Sequence, residues 1–168
     1  MEGVHIRAAS LADIGIIAGI ARAAWPVAYA AILSETQLTY MLELMYSESA
    51  LREQVLVKNH RFIIAEAKGL PIGFAGFEHG IRGKACTRLH KLYILPGTKG
   101  TGLGRMLLDA VESAALKAGD ACIELNVNRF NPTKDWYLRR GFVIDRDEVI
   151  DIGHGYVMDD HVMFKHIG

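Results

Sequence analysis

The chain has 168 residues, enough for one domain, residues 1–168, whose hydrophobic core needs no metal or disulfide for stability. With 51% hydrophobic and 23% charged residues, the composition is that of a folded protein and excludes a disordered or fibrous chain. The 19 basic and 19 acidic residues balance, so the chain lacks the overall positive charge typical of nucleic-acid-binding proteins, and we expect no nucleic-acid partner.

The N-terminal segment MEGVHIRAAS has neither the basic nor the apolar region of a secretion signal. We also identify no apolar run of about 18 residues that could cross a membrane. We therefore expect a cytoplasmic protein with no membrane partner. The two cysteines, Cys86 and Cys122, lack the spacing of a zinc or redox motif, and we interpret both as buried small hydrophobic residues without a reactive role.

The first third of the chain predicts one strand and three helices. VHIRAAS alternates apolar and polar residues, which is typical of a strand. Ser10 then caps a helix that reaches about Ala24, and Asp13 occupies the capping-box position. Pro26 is expected to close or kink that helix. Two further helices are predicted after serine caps, at Ser34 and Ser47.

In the middle of the chain the period changes from helical to alternating. RFIIAEA and IGFAGFEHG, separated by the turn residues KGLP, predict a β-hairpin. CTRLHKLYILP predicts a third strand, which Pro96 ends. After a glycine-rich stretch, apolar residues recur at three-and-four spacing from Leu103 to Ala115, and Gly119 occupies a C-terminal cap position. This is the clearest helix in the sequence.

The last third predicts a strand, a short helix and a hairpin. In ACIELNVN one face carries Ile123, Leu125 and Val127, and the other carries polar residues. NPTKDWYLRRG has the capping residue Asn131 at its start and Gly141 just past its end, as expected for a short helix. FVIDRDEVIDI and GYVMDDHVMFKHI predict a final hairpin. The order of elements therefore predicts an α/β (α+β) fold with one mixed sheet.

The glycine-rich stretch PGTKGTGLGRMLLDAV precedes the clearest helix, and such an arrangement favours an anion at the helix N-terminus. A dinucleotide-binding fingerprint would require glycine at position 105 or at position 107. Arg105 and Leu107 occupy these positions, so this motif is excluded. A P-loop would require Lys-Ser or Lys-Thr after Gly102, where Leu103 and Gly104 follow instead. The anion is therefore bound by a different motif.

The segment from Lys99 to Gly104, KGTGLG, resembles the signature of the GNAT superfamily of acetyl-coenzyme A-dependent N-acyltransferases. That signature is Arg or Gln, two residues, Gly, one residue, then Gly or Ala; Lys99 replaces its first residue and keeps the charge without the planar guanidinium. VNRFNPTKDWYLRRGF is similar to a second GNAT signature, in which Asn131 precedes an aromatic–Tyr pair and then Gly-Phe. The resemblance covers the chain from Arg61 to the C-terminus.

The resemblance implies the GNAT fold, a mixed and mostly antiparallel central sheet flanked by helices. In that fold two strands, here Leu89 to Leu95 and Cys122 to Val127, splay apart and hold acetyl-CoA. Glycine lets the loop backbone approach a pyrophosphate without a metal. For Asn131, contact with the pantetheine arm and a structural cap are equal alternatives. The implied acetyl-CoA contacts are Leu92, Tyr93, Ile94, Lys99, Gly100, Thr101, Gly102, Leu103, Gly104, Arg105, Asn126, Asn131 and Tyr137.

The resemblance also implies direct transfer to a primary amine, with Tyr137 as the acid that protonates the leaving thiolate. The attacking amine needs a base, for which His90 and Glu78 are the candidates. His90 is placed by alternation on the same strand face as Leu92 and Ile94 and has a pKa suited to proton transfer. A structural role for His90 is the alternative. The other histidines show no metal-ligand spacing, and we expect no metal: His5, His60, His79, His154, His161 and His166.

The acceptor pocket is expected between the first helices and the last hairpin. Trp25 and Tyr29, four residues apart, are either a core pair or substrate contacts. An acidic cluster near the C-terminal hairpin could attract a cationic amine, although such a cluster is usually a solvated surface: Glu148, Asp151, Asp159 and Asp160. Of the acidic residues, Asp159 and Glu78 are the candidate substrate contacts. The C-terminal segment is similar to diamine and polyamine acetyltransferases of the superfamily. A polyamine or another small primary amine is therefore the expected acceptor. Transfer to a peptide amine and a non-catalytic acyl-CoA sensor are the alternative functions, and a homodimer is compatible with each of them.

Overall fold

A computed structural model describes residues 2–168 of the chain. Its centre is a seven-stranded sheet with the order β1-β2-β3-β4-β5-β7-β6. Only β4 and β5 pair in parallel, and every other neighbouring pair is antiparallel. The mixed, mostly antiparallel sheet predicted from the sequence is thus confirmed. The strands are β1 (Val4–Ala8), β2 (Arg61–Ala67), β3 (Leu70–Glu78), β4 (Cys86–Ile94), β5 (Cys122–Asn128), β6 (Val143–Gly153) and β7 (Tyr156–His166).

Within residues 2–168, five α-helices cover the two faces of the sheet: α1 (Ile14–Tyr29), α2 (Glu35–Tyr46), α3 (Glu48–Leu56), α4 (Leu103–Lys117) and α5 (Thr133–Arg139). The first three pack on one face, where Ile17, Met41 and Leu51 join Ile64 and Phe74 in one apolar cluster. On the other face α4 packs against β4 and β5, with Leu107 and Ile123 in a second cluster. The sheet therefore separates a three-helix face from an α4 face.

The start of α1 agrees with the sequence prediction, but its end does not. Ser10 and Asp13 form the predicted capping box, in a short 3₁₀ turn before α1. The helix then continues through Pro26 to Tyr29, so the predicted closure near Ala24 was wrong. Pro26 removes one helical hydrogen bond. Buried Trp25 and the tertiary packing of this turn keep it helical despite that loss.

The segment Leu11–Tyr29 is long and apolar enough to cross a membrane by length and composition, a property that the sequence analysis overlooked. In the structure its side chains Ile17, Ala21 and Trp25 are buried in the cluster of the three-helix face. Burial of this face accounts for the apolar composition of the segment.

The parallel pairing of β4 with β5 is short. It runs from Cys86 opposite Cys122 to Leu89 opposite Leu125 and then stops. Beyond that point β4 pairs only with β3, and the end of β5 pairs only with β7. The two central strands therefore separate toward their C-terminal ends, and the opening connects the three-helix face with the N-terminus of α4.

A β-bulge in β4 changes which residues face the helices. Gly76 of β3 pairs with Lys91 and Phe77 pairs with Leu89, so His90 has no partner in β3. Leu92 packs on the α4 face, whereas His90 lies on the three-helix face. The prediction that His90 shares a face with Leu92 and Ile94 was therefore wrong, because the bulge inserts one residue into the alternation.

The cysteines also differ from their interpretation as separate buried residues. Cys86 and Cys122 stand directly opposite each other where β4 and β5 begin to pair, and they are joined by a disulfide. Their separation of 36 residues in the chain concealed this contact, because only the sheet topology brings the strands together. Disulfides are rare in reducing compartments, and the expected cytoplasmic location therefore stays a prediction.

Gly76 lies beside the bulge and permits close packing of the neighbouring strand. A Cβ atom at this position would lie 2.7 Å from Cε1 of Phe62, whose ring is buried. We expect Gly76→Ala to lower the free energy of unfolding by about 1–3 kcal/mol, because the core must shift to accept the added methyl group.

Gly15→Ala is the matched control, because a Cβ atom at Gly15 meets nothing within 4 Å and the residue lies in α1. We expect this variant to gain up to about 1 kcal/mol from helix propensity. Urea denaturation of both variants measures the difference. Equal stability of Gly76→Ala and the wild type would contradict the packing described here.

Candidate active site

The glycine-rich loop adopts a conformation that only glycine takes readily. Gly97, Gly100 and Gly102 have φ angles of 90°, 81° and 86°. Gly102 is the residue that caps α4, and it offers no side chain to the helix. The first N–H groups of a helix have no acceptor within the helix, and the helix dipole adds positive potential. The loop therefore presents a site for an anion, flanked by exposed Lys99 and Arg105.

Asn131 and Tyr137 lie at the two ends of α5 and its preceding turn. The Asn131 side chain accepts a hydrogen bond from the Thr133 amide at 2.9 Å, which is the predicted capping role. It thereby fixes the start of the helix that carries Tyr137. Tyr137 is buried between Trp136 and Phe142, with ring-centroid distances of 5.0 Å and 5.4 Å.

Tyr137 remains protonated at neutral pH. Its burial raises the pKa of the phenol above the ordinary value, and the nearby Tyr29 raises it further. A protonated phenol close to other hydroxyl groups can donate a hydrogen bond or a proton. The environment of Tyr137 thus suits an acid and excludes a base at neutral pH.

Tyr137 packs in the apolar cluster of the α4 face, and Tyr29 and Tyr93 lie near it on the three-helix side. The hydroxyl groups of Tyr29 and Tyr93 are 2.9 Å apart. Trp25 lies 4.7 Å from Tyr29 and 5.6 Å from both Tyr93 and Tyr46, measured between ring centroids. Trp25 is buried and Tyr29 half-buried in the apolar cluster of the three-helix face, and both also line a cavity, so contact with a substrate stays a prediction for them.

That cavity has a volume of about 210 Å³ and lies on the three-helix face of the opening between β4 and β5. Helices α1 and α2, strands β4 and β5, and the β6–β7 hairpin all contribute to its wall. Aromatic, methionine and amide side chains form most of it. The titratable side chains other than tyrosine in the wall are Arg88, His90, Lys91 and Asp160.

Asp160 is the one carboxylate that lines the cavity within residues 2–168. Its side chain is almost fully buried, and its Oδ2 atom accepts a hydrogen bond from Asn126 at 3.2 Å. Burial raises its pKa above the ordinary value for an aspartate. A buried carboxylate with a raised pKa is a better base than an exposed one.

Asp159, which the sequence analysis predicts to contact the amine substrate, does not line the cavity. Its Oδ1 atom accepts a hydrogen bond from Arg129 at 3.0 Å, and the side chain is partly exposed. Strand alternation explains the difference, because successive residues of β7 point to opposite faces. The sequence analysis included Asp160 in the acidic cluster but chose its neighbour as the substrate contact.

Lys91 is the residue of the cavity that sequence analysis missed entirely. Its side chain is buried, and Nζ donates a hydrogen bond to Oε1 of Gln54 at 2.7 Å. Burial lowers its pKa to about 8. The only signal in the sequence was the alternation of β4, which places Lys91 on the same face as Tyr93, and the bulge at His90 leaves that relation unchanged.

The two predicted base candidates contact each other. His90 Nε2 is 3.0 Å from Oε1 of Glu78, and the His60 ring stacks on His90 with 3.9 Å between centroids. Burial, together with the charges of Lys91 and Arg88, lowers the pKa of His90 to about 3. His90 is therefore neutral at physiological pH and a weak base. Glu78 does not line the cavity and could act on a substrate only through His90.

His60, Glu78 and His90 bring atoms that could ligate a metal within 4.8 Å of one another. This cluster was invisible in the sequence, because its members come from β3, β4 and the turn before β2. Lys91 and Lys58 are close enough to lower the pKa of His60, and these cations oppose a bound dication. We assign no metal here, and the expectation of a metal-free protein stays a prediction.

The comparisons with known proteins agree with this geometry. A family model described as acetyltransferase (GNAT) domain matches residues 29–157. An uncharacterized N-acetyltransferase of Mycobacterium tuberculosis is 25% identical over 159 residues, which cover 94% of this chain and 99% of the relative. The match therefore extends beyond the signature motifs.

Two solved structures share the fold. The PaiA N-acetyltransferase from Thermoplasma acidophilum, in complex with coenzyme A, is 27% identical with a TM-score of 0.79, and 97% of this chain and 98% of that chain are covered. A GCN5-related N-acetyltransferase from Rhodopseudomonas palustris is 22% identical with a TM-score of 0.83, at 99% and 97% coverage. The second likeness concerns the fold alone.

Proposed function

The chain belongs to the GNAT family of acetyltransferases, and we propose that it transfers the acetyl group of acetyl-CoA directly to a small primary amine. The observation that carries this proposal is the opening between β4 and β5, which joins the N-terminus of α4 to the cavity that contains Asp160. One substrate can enter from each face of the sheet, so the two reactants meet in the opening.

The residues of the glycine loop fit the pyrophosphate of acetyl-CoA. Amide groups of Gly102, Leu103 and Gly104 have no acceptor within α4, and Lys99 adds a positive charge. A relative at 27% identity is described in complex with coenzyme A, which supports the same cofactor here. Backbone groups of Leu92 and Ile94, beyond the last β4–β5 pair, would bind the pantetheine arm and polarise the thioester carbonyl.

The proposed reaction has three proton transfers. The acceptor ammonium gives a proton to Asp160, and the resulting amine nitrogen attacks the thioester carbonyl carbon. The carbon–sulfur bond breaks, Tyr137 donates a proton to the leaving thiolate, and the new amide nitrogen loses its remaining extra proton to solvent. The buried and protonated Tyr137 and the buried Asp160 support this division of roles. In this scheme neither His90 nor Glu78 takes a proton: His90 forms part of the cavity wall, and Glu78 holds the His90 ring through their contact.

The size of the cavity favours a small acceptor. Its volume of about 210 Å³ is below the range of about 300–1,000 Å³ for sites that enclose drug-sized ligands. Two of the acidic residues expected to attract a polyamine are paired with arginines, since Asp159 contacts Arg129 and Glu148 lies near Arg146. A peptide amine would need an open groove, and a sensor would need no acid, so both are weaker alternatives.

The glycine loop generates the first prediction. Gly102→Ala is expected to weaken coenzyme A binding about tenfold, because alanine at a φ of 86° is strained by about 1–2 kcal/mol and displaces the loop amides. Gly119 has the same φ of 86° at the opposite end of α4. Gly119→Ala should lose similar stability but keep its affinity in isothermal titration with coenzyme A. Equal affinity losses in both variants would remove the loop from the binding site.

Tyr137→Phe tests the acid. We expect release of free thiol from acetyl-CoA in the presence of an amine to fall about 100-fold, while coenzyme A affinity stays within a factor of about two. The assay uses a panel of small amines, amino acids and short peptides. Tyr156→Phe is the control, because Tyr156 lies at the turn of the β6–β7 hairpin, where its ring packs against Tyr40. Undiminished turnover in Tyr137→Phe would exclude Tyr137 as the acid, and coenzyme A binding without turnover of any acceptor by the wild type would favour a sensor.

Asp160→Asn tests the base against its neighbour. We expect a fall of about 100-fold in turnover, because the amide cannot accept the proton of the acceptor. Asp159→Asn, one residue earlier and bound to Arg129, should change turnover by less than about threefold. His90→Gln is measured beside them. A large loss in His90→Gln with full turnover in Asp160→Asn would transfer the role of base to His90.

A further inference from the structure

Among the hydrogen-bonding groups that line the acceptor cavity, two sets differ in their chemistry. On the side of α1, α2 and β4 lie three groups that can donate: the indole N–H of Trp25, the hydroxyl of Tyr46 and the ammonium of Lys91. Trp25 and Tyr46 are 3% and 0% exposed. Trp25 Nε1 and Tyr46 Oη lie close to each other, but neither atom has a hydrogen-bond partner with good geometry among residues 2–168. Buried polar groups without partners are rare, and each is costly unless a ligand or solvent satisfies it.

Lys91 strengthens this set. Its ammonium lies 5.5 Å from the centroid of the Tyr46 ring and 5.8 Å from that of Phe62, and its one hydrogen bond goes to the neutral Gln54. In the part of the chain that the structure describes, Lys91 forms no ion pair, whereas Arg88 in the same wall lies near Glu124. A buried cation without a counter-ion is unfavourable, and an anion bound beside it would be stabilised.

The side formed by β5 and β7 has the opposite polarity. Asp160 is a carboxylate, and Asn126 donates its amide hydrogen to it at 3.2 Å. This hydrogen bond fixes the orientation of the amide, so that Asn126 Oδ1 is left as an acceptor, and that atom is buried without a partner. Two acceptors on this side suit a cationic ammonium group.

We propose that the acceptor is a small amino acid, whose amine binds Asp160 and Asn126 and whose carboxylate binds Lys91, Trp25 and Tyr46. This inference rests on the proposed function and names its substrate class. A zwitterion satisfies both sets of groups at once. A diamine of the same length would place its second ammonium beside Lys91, where like charges repel.

The test compares acceptors that differ only at the end remote from the amine. 4-Aminobutanoate, butan-1-amine and 1,4-diaminobutane share a four-carbon chain and end in a carboxylate, a methyl group and an ammonium. Chain length is varied from glycine to 6-aminohexanoate, each with its matched alkylamine. We expect kcat/KM for the best amino acid to exceed that of its alkylamine about 10- to 100-fold, the range expected for hydrogen bonds to a charged group.

Two variants locate the carboxylate. Lys91→Met replaces the cation with an apolar side chain that the surrounding rings accommodate, and Tyr46→Phe removes one hydroxyl without a change of shape. Both variants should reduce the ratio of kcat/KM for the amino acid to kcat/KM for its alkylamine, and in Lys91→Met this ratio should fall to about one. Turnover of the alkylamine should be retained in both variants. Lys58→Met is the control, because Lys58 is exposed and does not line the cavity. Butanoate, which lacks the amine, should inhibit the wild type and not Lys91→Met.

The outcomes separate this inference from the function on which it rests. Turnover of alkylamines or diamines without a preference for the carboxylate would overturn the inference and keep the small-amine acetyltransferase. A preference that survives in Lys91→Met would also overturn it, since the carboxylate would then bind elsewhere. Turnover of peptides alone would overturn the small-amine proposal and, with it, the assignment of an amino acid.

Discussion

The functional architecture depends on the point at which β4 and β5 cease to pair. A parallel pair that continued to the ends of both strands would close the sheet and separate the two faces completely. Here the pairing stops after Leu89 and Leu125, so the edges of both strands expose backbone groups that must be satisfied in another way. β3 and β7 hold the outer edges, and the inner edges remain for a ligand. The glycine loop, α5 and the acceptor cavity all border this one opening.

Most of the elements could be predicted because their determinants are local. The capping box at Ser10, the serine cap at Ser34 and the apolar spacing of α4 each involve only neighbouring residues, and the structure contains all of them. The glycine loop could be predicted for the same reason, since positive φ angles and the lack of a capping side chain depend on residue type alone. The helix through Pro26 was not predictable, because tertiary packing outweighs the local preference there.

The site was less predictable, because its decisive features are not local. One inserted residue, the bulge at His90, changes the face of every residue on one side of it, and it depends on pairing with Gly76 and Phe77 in another strand. The choice between Asp159 and Asp160 depends on which face of β7 is inside, and adjacent residues of the same type carry no such information. The Cys86–Cys122 disulfide required the β4–β5 register. Helical periodicity and motifs cannot supply these long-range relations.

Buried charged groups in proteins are usually paired with each other, but the two buried charged groups Asp160 and Lys91 of this cavity are not. Asp160 and Lys91 carry opposite charges in the same wall, yet Asp160 is bound by Asn126 and Lys91 by Gln54. If stability alone had shaped this region, a direct ion pair or apolar residues at both positions would be the simpler arrangement. Keeping the charges apart leaves each able to bind an opposite charge on a substrate. The separation of Asp160 and Lys91 is therefore better explained by recognition than by folding, as expected where functional sites depart from the rules of stable cores.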